Sequence, residues 1–206
     1  MWGLVESGSI TKLINKPNGL VIGDVRYSRK IFELWSKSEL EAIGIYEVEF
    51  DNTNKKDEQW YVNTNQSFAF AGGKITASYG SATAKAHADT LYTAQDESDG
   101  KGTEGEVKAE GLKTKLIRDV KKEANRLLTE TDWDVTRKSE KSTAIPSNIT
   151  TWRNGIRSKQ AAMETSITNA SDTPALETLY TYVNTADEGD PPVMERPLGE
   201  FPVLGS

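Results

Sequence analysis

Leu127-Leu128-Thr129-Glu130-Thr131-Asp132-Trp133 is the stretch whose reading decides the fold. It closes a basic amphipathic segment in which Leu112, Leu116, Ile117, Val120, Ala124, Leu127 and Leu128 recur as one helical face. A second stripe starts near Ile145-Pro146-Ser147 and continues through Ile149, Trp152, Ile156, Met163 and Ile167. Both stripes are buried only if the chain folds back on itself. The reading is therefore a helical hairpin, with Trp133 as the plug of its corner.

Toward the N-terminus the period changes from helix to strand. Trp2-Gly3-Leu4-Val5 and Ile10-Thr11-Lys12-Leu13-Ile14 flank a turn at Glu6-Ser7-Gly8-Ser9, and Leu20-Val21-Ile22 and Val25-Arg26-Tyr27 flank Gly23-Asp24. Ser36-Lys37-Ser38-Glu39 is a capping box for a short helix that Gly44 ends, and Ile45 to Phe50 alternates as a strand. Phe32, Leu34, Trp35, Leu40 and Ile43 are the expected core, making residues 1–50 a small α+β unit. Residues 51–105 read as a polar loop, a hairpin across Gly72-Gly73, an Ala-rich helix from about Ala82 to Gln95 and an acidic, Gly-rich linker.

Residues 106–185 form the helical module. Ser171 or Asp172 caps its last helix, Pro174 occupies the first turn, and Leu176, Leu179, Tyr180 and Val183 face inward. Residues 186–206, with Pro191, Pro192, Pro197 and Pro202, form an extended tail. Such a tail either wraps its own helical hairpin or lies in a neighbouring subunit's groove, and the reading favours a protein living inside an assembly. The expected fold class is α+β: a small N-terminal hairpin-rich unit, a central hairpin, and a C-terminal helical hairpin or bundle with an extended Pro-rich tail.

A chain of 206 residues is long enough for one sizeable core or two small domains. Hydrophobic residues make up 36%, so much of the chain is surface, loop or contact with another chain. The net charge of −6 argues against nucleic acid as a partner, and the basic runs at Lys108–Lys122 and Arg137–Lys141 read as solvated helix faces. The absence of cysteine excludes disulfides, thiolate nucleophiles and cysteine-ligated metals. The N-terminus lacks the basic and apolar regions of a signal peptide, and no stretch approaches the roughly 18 apolar residues of a membrane helix. The expectation is a soluble chain without an export signal or a membrane partner.

The candidates for chemistry are few. His87 is the one histidine, and no nucleophile or pocket can be named for it to serve as a general base. Asp132 and Asp134 bracket Trp133 and read as capping carboxylates of a turn. Asp96, Glu97 and Asp99 beside Gly100 lack the ligand register and closing glutamate of a calcium loop. Gly100-Lys101-Gly102-Thr103 lacks the buried strand and spacing of a phosphate loop. The five tryptophans could line a sugar site, but core and interface anchoring is the commoner use. Trp2, Trp35, Trp133, Trp152, Met194 and Phe201 are the candidate interface and packing residues. No catalytic residue, cofactor or metal ligand is expected.

Several of these residues also form a pattern. Trp2-Gly3-Leu4-Val5, Ile31 to Ser36 and Glu39 to Ile45 resemble the start of many bacteriophage tail-associated proteins. Leu127-Leu128 to Thr131-Asp132-Trp133, Ala144-Ile145-Pro146 and Thr151 to Arg157 resemble the C-terminal module of phage tail assembly chaperone and tail-fibre proteins. In that module L-L-x-x-[ST]-D-W, a variable loop and Y-R-x-x-L-R form a helical hairpin. Phe201-Pro202 is similar to its aromatic-Pro ending. The likeness covers the first fifty residues and about 120–160. Trp152 stands where the family usually has tyrosine, Ile156 stands in the leucine's place, and a long insert separates Trp133 from the second helix. The resemblance implies a binding part rather than an enzyme: a virion component of the tail, baseplate or fibre, with residues 1–50 as its α+β docking unit, or an assembly chaperone that leaves before the particle matures. It implies other tail or fibre proteins as partners, a multi-copy or homo-oligomeric state, and a place in the virion tail after assembly in the host cytoplasm.

Overall fold

Two-residue turns build the first part of the chain. In the computed structural model, which describes residues 1–64 and 66–205, the chain divides into two units, Met1–Thr83 and Ala84–Ser206. Strands dominate the first and helices the second, an α+β architecture. The first unit begins with the hairpins β1 (Trp2–Glu6)/β2 (Ser9–Ile14) and β3 (Leu20–Ile22)/β4 (Val25–Tyr27). There follow α1 (Ile31–Leu34), α2 (Lys37–Ala42), β5 (Ile45–Asp51), β6 (Tyr61–Val62), and the hairpin β7 (Ser67–Ala71)/β8 (Lys74–Ser78). Ser7 and Gly8, like Gly72 and Gly73, have positive φ, the conformation that keeps strands in step with their natural twist.

The strands assemble as β2-β1-β5-β8-β7, with β5 and β8 parallel and the other neighbours antiparallel. The sheet curls until β2 and β7, at its two ends, approach one another. Its inner face buries Val48, Ile75 and Ala77 with Val5, Ile10, Tyr46, Phe68 and Phe70 packed around them. Strand alternation sends Leu4 to the other face, where Ile14, Leu20, Ile31, Leu40 and Ile45 form a second core with Trp2 and Phe32. Gly3 makes room for Ile75, whose Cδ1 would lie 2.4 Å from an added Cβ. The capping box is present: Ser36 Oγ accepts from Glu39 N, and Ser36 N donates to Glu39 Oε2 at 2.7 Å.

Two expected core positions in this unit are exposed. Leu34 is 75% exposed and Trp35 37%, while Ile31 is buried. Since α1 is a single turn, it directs only one side chain fully into the core. The β7/β8 hairpin completes the first unit's sheet, and residues from 84 onward belong to the second unit.

Beyond β9 (Thr83–Ala84), the second unit contains β10 (Thr90–Leu91), α3 (Ala94–Ser98), β11 (Val107–Ala109), α4 (Leu112–Thr129), α5 (Asp132–Lys141), α6 (Ser147–Asn169), α7 (Thr173–Tyr180), β12 (Val183–Asn184) and β13 (Met194–Glu195). The expected Ala82–Gln95 helix is absent apart from α3. Its backbone is committed elsewhere, to the N-terminus of α4. Leu112 N donates to Ala86 O and Lys113 N to His87 O, both at 2.9 Å. Gly111 N and the Thr114 hydroxyl donate to the Asp89 carboxylate at 2.7 and 2.8 Å. These contacts satisfy donors that the first helical turn leaves open. A helix over 82–95 would direct the same carbonyls into its own ladder.

Helices α4 and α6 pack antiparallel. Arg153 near the start of α6 reaches Leu128 at the end of α4, and Lys113 at the start of α4 donates to Thr168 O at the end of α6. Ala124, Ile156, Ile167 and Leu176 are fully buried along this unit's core. Asp172 caps α7 by accepting from Ala175 N at 2.8 Å, but α7 ends at Tyr180, so Val183 lies in β12 and is exposed.

The Pro-rich tail wraps its own helical unit. Leu198 is buried and its N–H donates to Leu179 O at 3.0 Å. Phe201 packs on Ala124, Trp152 and Ile156, and Trp152 Nε1 donates to Pro202 O at 2.8 Å. An extended segment has carbonyls free to accept such bonds, so this tail needs no neighbouring subunit to hold it.

Gly111 sits where a Cβ would lie 2.3 Å from the backbone C and O of Ala88. Gly111→Ala is expected to cost about 2 kcal/mol by overpacking, measured by denaturant unfolding. Gly3→Ala should cost less, because its obstacle is the movable tip of Ile75 rather than backbone.

Candidate functional site

The α4–α6 corner contains most of the residues of the L-L-x-x-T-D-W stretch and the Trp152-Arg153 pair. The chain leaves α4 at Glu130, turns at Thr131 and enters α5 at once. Leu127 and Leu128 pack on Ala124, Trp152 and Ile156. Arg153 lies on the same face, and only 8% of it is exposed. Its Nη1 donates to Leu128 O and to Thr131 Oγ1, both at 2.7 Å, and its Nη2 donates to Asp132 Oδ1 at 3.0 Å.

One guanidinium therefore holds three consecutive features of the corner: the last turn of α4, the buried Thr131 hydroxyl and the first residue of α5. The charges agree with the helix ends. A cation is favourable at the C-terminus of α4, and Asp132 and Asp134 are favourable in the first turn of α5. Asp132 is not a cap, because the N-cap of α5 is Thr131 and makes no side-chain capping bond. It is the carboxylate partner of Arg153. Asp134 pairs with Arg137 at 2.7 Å.

Trp133 is not a plug. It is 64% exposed, projecting from a helix none of whose residues is buried. The buried indole is Trp152, and Arg153 supplies the polar closure that the expected plug would have provided. Arg153 was missed although its position was legible. It follows Ile149 by four residues and precedes Ile156 by three, which sets it on the buried stripe.

The other candidate residues are dispersed. Trp2 packs against Phe32 at 4.9 Å between ring centroids, and Trp35 stands edge-on to Tyr27 at 5.9 Å. Trp60 is buried in the first unit. Met194 is exposed on β13, while Phe201 sits half-buried against Trp152. His87 contributes its carbonyl to the α4 cap. Among the described residues, no group of three or more His, Cys, Asp and Glu could hold a metal ion.

The acidic loop has its own partners. Asp96 accepts from Lys108 Nζ at 2.8 Å and from the Thr93 N–H and hydroxyl, Asp99 accepts from Lys101 and Gln95, and Glu97 from Glu104 N. The Lys108 bond, with the Thr93 N–H, holds the Asp96 carboxyl down at about 2. The loop is an ion-paired brace of the β10–β11 region.

Comparison of the chain with protein-family models, curated proteins and solved structures gives no match.

Arg153→Ala leaves Leu128 O and Thr131 Oγ1 without their buried donor and is expected to cost about 3 kcal/mol in denaturant unfolding. Trp133→Ala, at an exposed position, should stay within about 0.5 kcal/mol of the parent. For Asp96, a lowered folded pKa means its contribution is full above the ordinary value of 3.8 and is lost as pH falls through about 2. Hydrogen-exchange protection of the β10–β11 region should fall across that acid window, and Asp96→Asn should reduce that dependence, the remainder following Asp89 and Asp99, whose hydrogen bonds also hold their carboxyls below the ordinary value.

Proposed function

We propose that this chain is a non-catalytic structural component of a bacteriophage virion tail, at the baseplate, tail or fibre attachment, acting through protein–protein contacts. The observation that carries the reading is the exposed Trp133 on a corner held by buried Arg153. Large aromatics are enriched at the energetic centres of protein interfaces, where a rigid ring buries much area at little entropic cost. Here the ring stands outside the core while Thr131, Asp132 and Arg153 of the same motif orient the backbone beneath it. A residue that only supported the fold would be packed, as Trp152 is. The likeness of these residues to the tail-chaperone and fibre module supplies the setting, with other tail or fibre proteins as partners.

The test is mass spectrometry of purified particles from a phage that encodes the chain. The expected result is the protein at a fixed copy number, reduced at least tenfold by Trp133→Ala while the variant stays folded. A chain missing from finished particles that raises the soluble yield of a co-expressed fibre subunit would instead make it an assembly chaperone. Turnover of host-surface polysaccharide by the purified chain would remove the non-catalytic reading altogether.

A further inference from the structure

A groove of about 620 Å³ runs between α4 and the C-terminal strap of the second unit. Val120 and Leu127 of α4 with Trp152 and Met163 of α6 line its apolar floor, Leu127 half-buried and the other three buried. Leu198 and Phe201 of the strap form one wall. The rim carries Asp119 and Glu123 from α4, Glu130 at its C-cap, and Arg196 and Glu200 from the strap.

The acids outnumber the cations that serve them. Arg126 is shared between Glu123 at 2.7 Å and Glu130 at 3.0 Å, and Arg196 pairs with Glu200 at 2.7 Å. The Asp119 carboxylate has no hydrogen bond or ion pair among the described residues. Four carboxylates thus face two guanidiniums, leaving excess negative charge beside an apolar trough. Half-buried Tyr180 senses both properties: loss of water pushes its hydroxyl up to about 12, opposed by Arg196 and reinforced by Asp119.

We propose that this groove docks a short segment of a partner protein carrying an aliphatic or aromatic anchor flanked by lysine or arginine. The anchor enters the trough beside half-buried Leu127 and Phe201, and the flanking cations meet Asp119 at one end and, in competition with Arg126, Glu130 at the other. Those carboxylates are eleven residues apart on α4, about 16 Å at the helical rise. An extended segment of about five residues spans that distance, so one anchor with a cation on either side matches the groove. An acidic or purely apolar segment lacks this complementarity. The surface is separate from Trp133 and does not depend on the tail reading.

The probe is the fluorescently labelled peptide Lys-Gly-Phe-Gly-Lys, titrated with the full-length chain and followed by anisotropy at low and high salt. Saturable binding that weakens with salt is expected, with at least tenfold weaker binding of the peptide in which glutamate replaces every lysine. The double variant Asp119→Lys, Glu130→Lys changes two exposed residues. It should keep its melting temperature and lose at least tenfold in affinity for the basic peptide. Absence of binding, equal binding of the acidic peptide, or affinity unchanged in a folded double variant would each overturn the proposal. Sedimentation of the unliganded protein addresses the competing occupant: self-association abolished by the same double variant would assign the groove to a second copy and overturn it too.

Discussion

A guanidinium taken out of water has to find its acceptors inside the protein, and Arg153 finds them at one corner. The Leu128 carbonyl, the Thr131 hydroxyl and the Asp132 carboxylate together satisfy its two terminal nitrogens. Leaving such a charge unpaired would cost several kcal/mol, so α4 can end and α5 can begin in few other ways while Arg153 stays buried. The antiparallel register of α4 and α6 follows from the same contact, because it ties the last turn of one to the first turns of the other. Once the register is set, Ala124 faces Trp152 and Ile156, and the strap can lay Phe201 and Pro202 over them.

The two ends of α4 are handled by different means. Its C-terminus receives a buried cation from α6. Its N-terminus, where Gly111 offers no side chain to cap, borrows the Ala86 and His87 carbonyls and the Asp89 carboxylate from a segment more than twenty residues earlier. Gly111 is compatible with this because it allows the backbone of Ala88 to press against the helix end. Both solutions are polar contacts between distant parts of the chain, and together they organise the second unit around one helix. The surfaces left over are functional candidates: an indole turned outward beyond the corner and an acid-rimmed trough beneath the strap.

Much of this was legible where the cause is local. The hairpin turns at Ser7-Gly8, Gly23-Asp24 and Gly72-Gly73, the Ser36 capping box and the cap of α7 at Asp172 all follow from neighbouring residues. Expectations failed where distant partners competed for the same groups. The alanine-rich run at 82–95 has helical composition, yet the needs of α4 draw its backbone into caps. Trp133 has the size and apolarity of a plug, but the position it was meant to fill is closed by Arg153 and Trp152. Asp132 looked like a cap until a buried arginine twenty-one residues later claimed it.

By itself the sequence determined the α+β class, the local turns and caps, and the two apolar helical stripes, because period and turn chemistry act over a few residues. Only the tertiary structure decided the parallel pairing of β5 with β8, the curl of the sheet, the wrapping of the tail on its own unit and the outward direction of Trp133. Each of these depends on groups far apart in sequence satisfying one another's hydrogen bonds or excluding one another's water. Local composition carries no record of which partner wins.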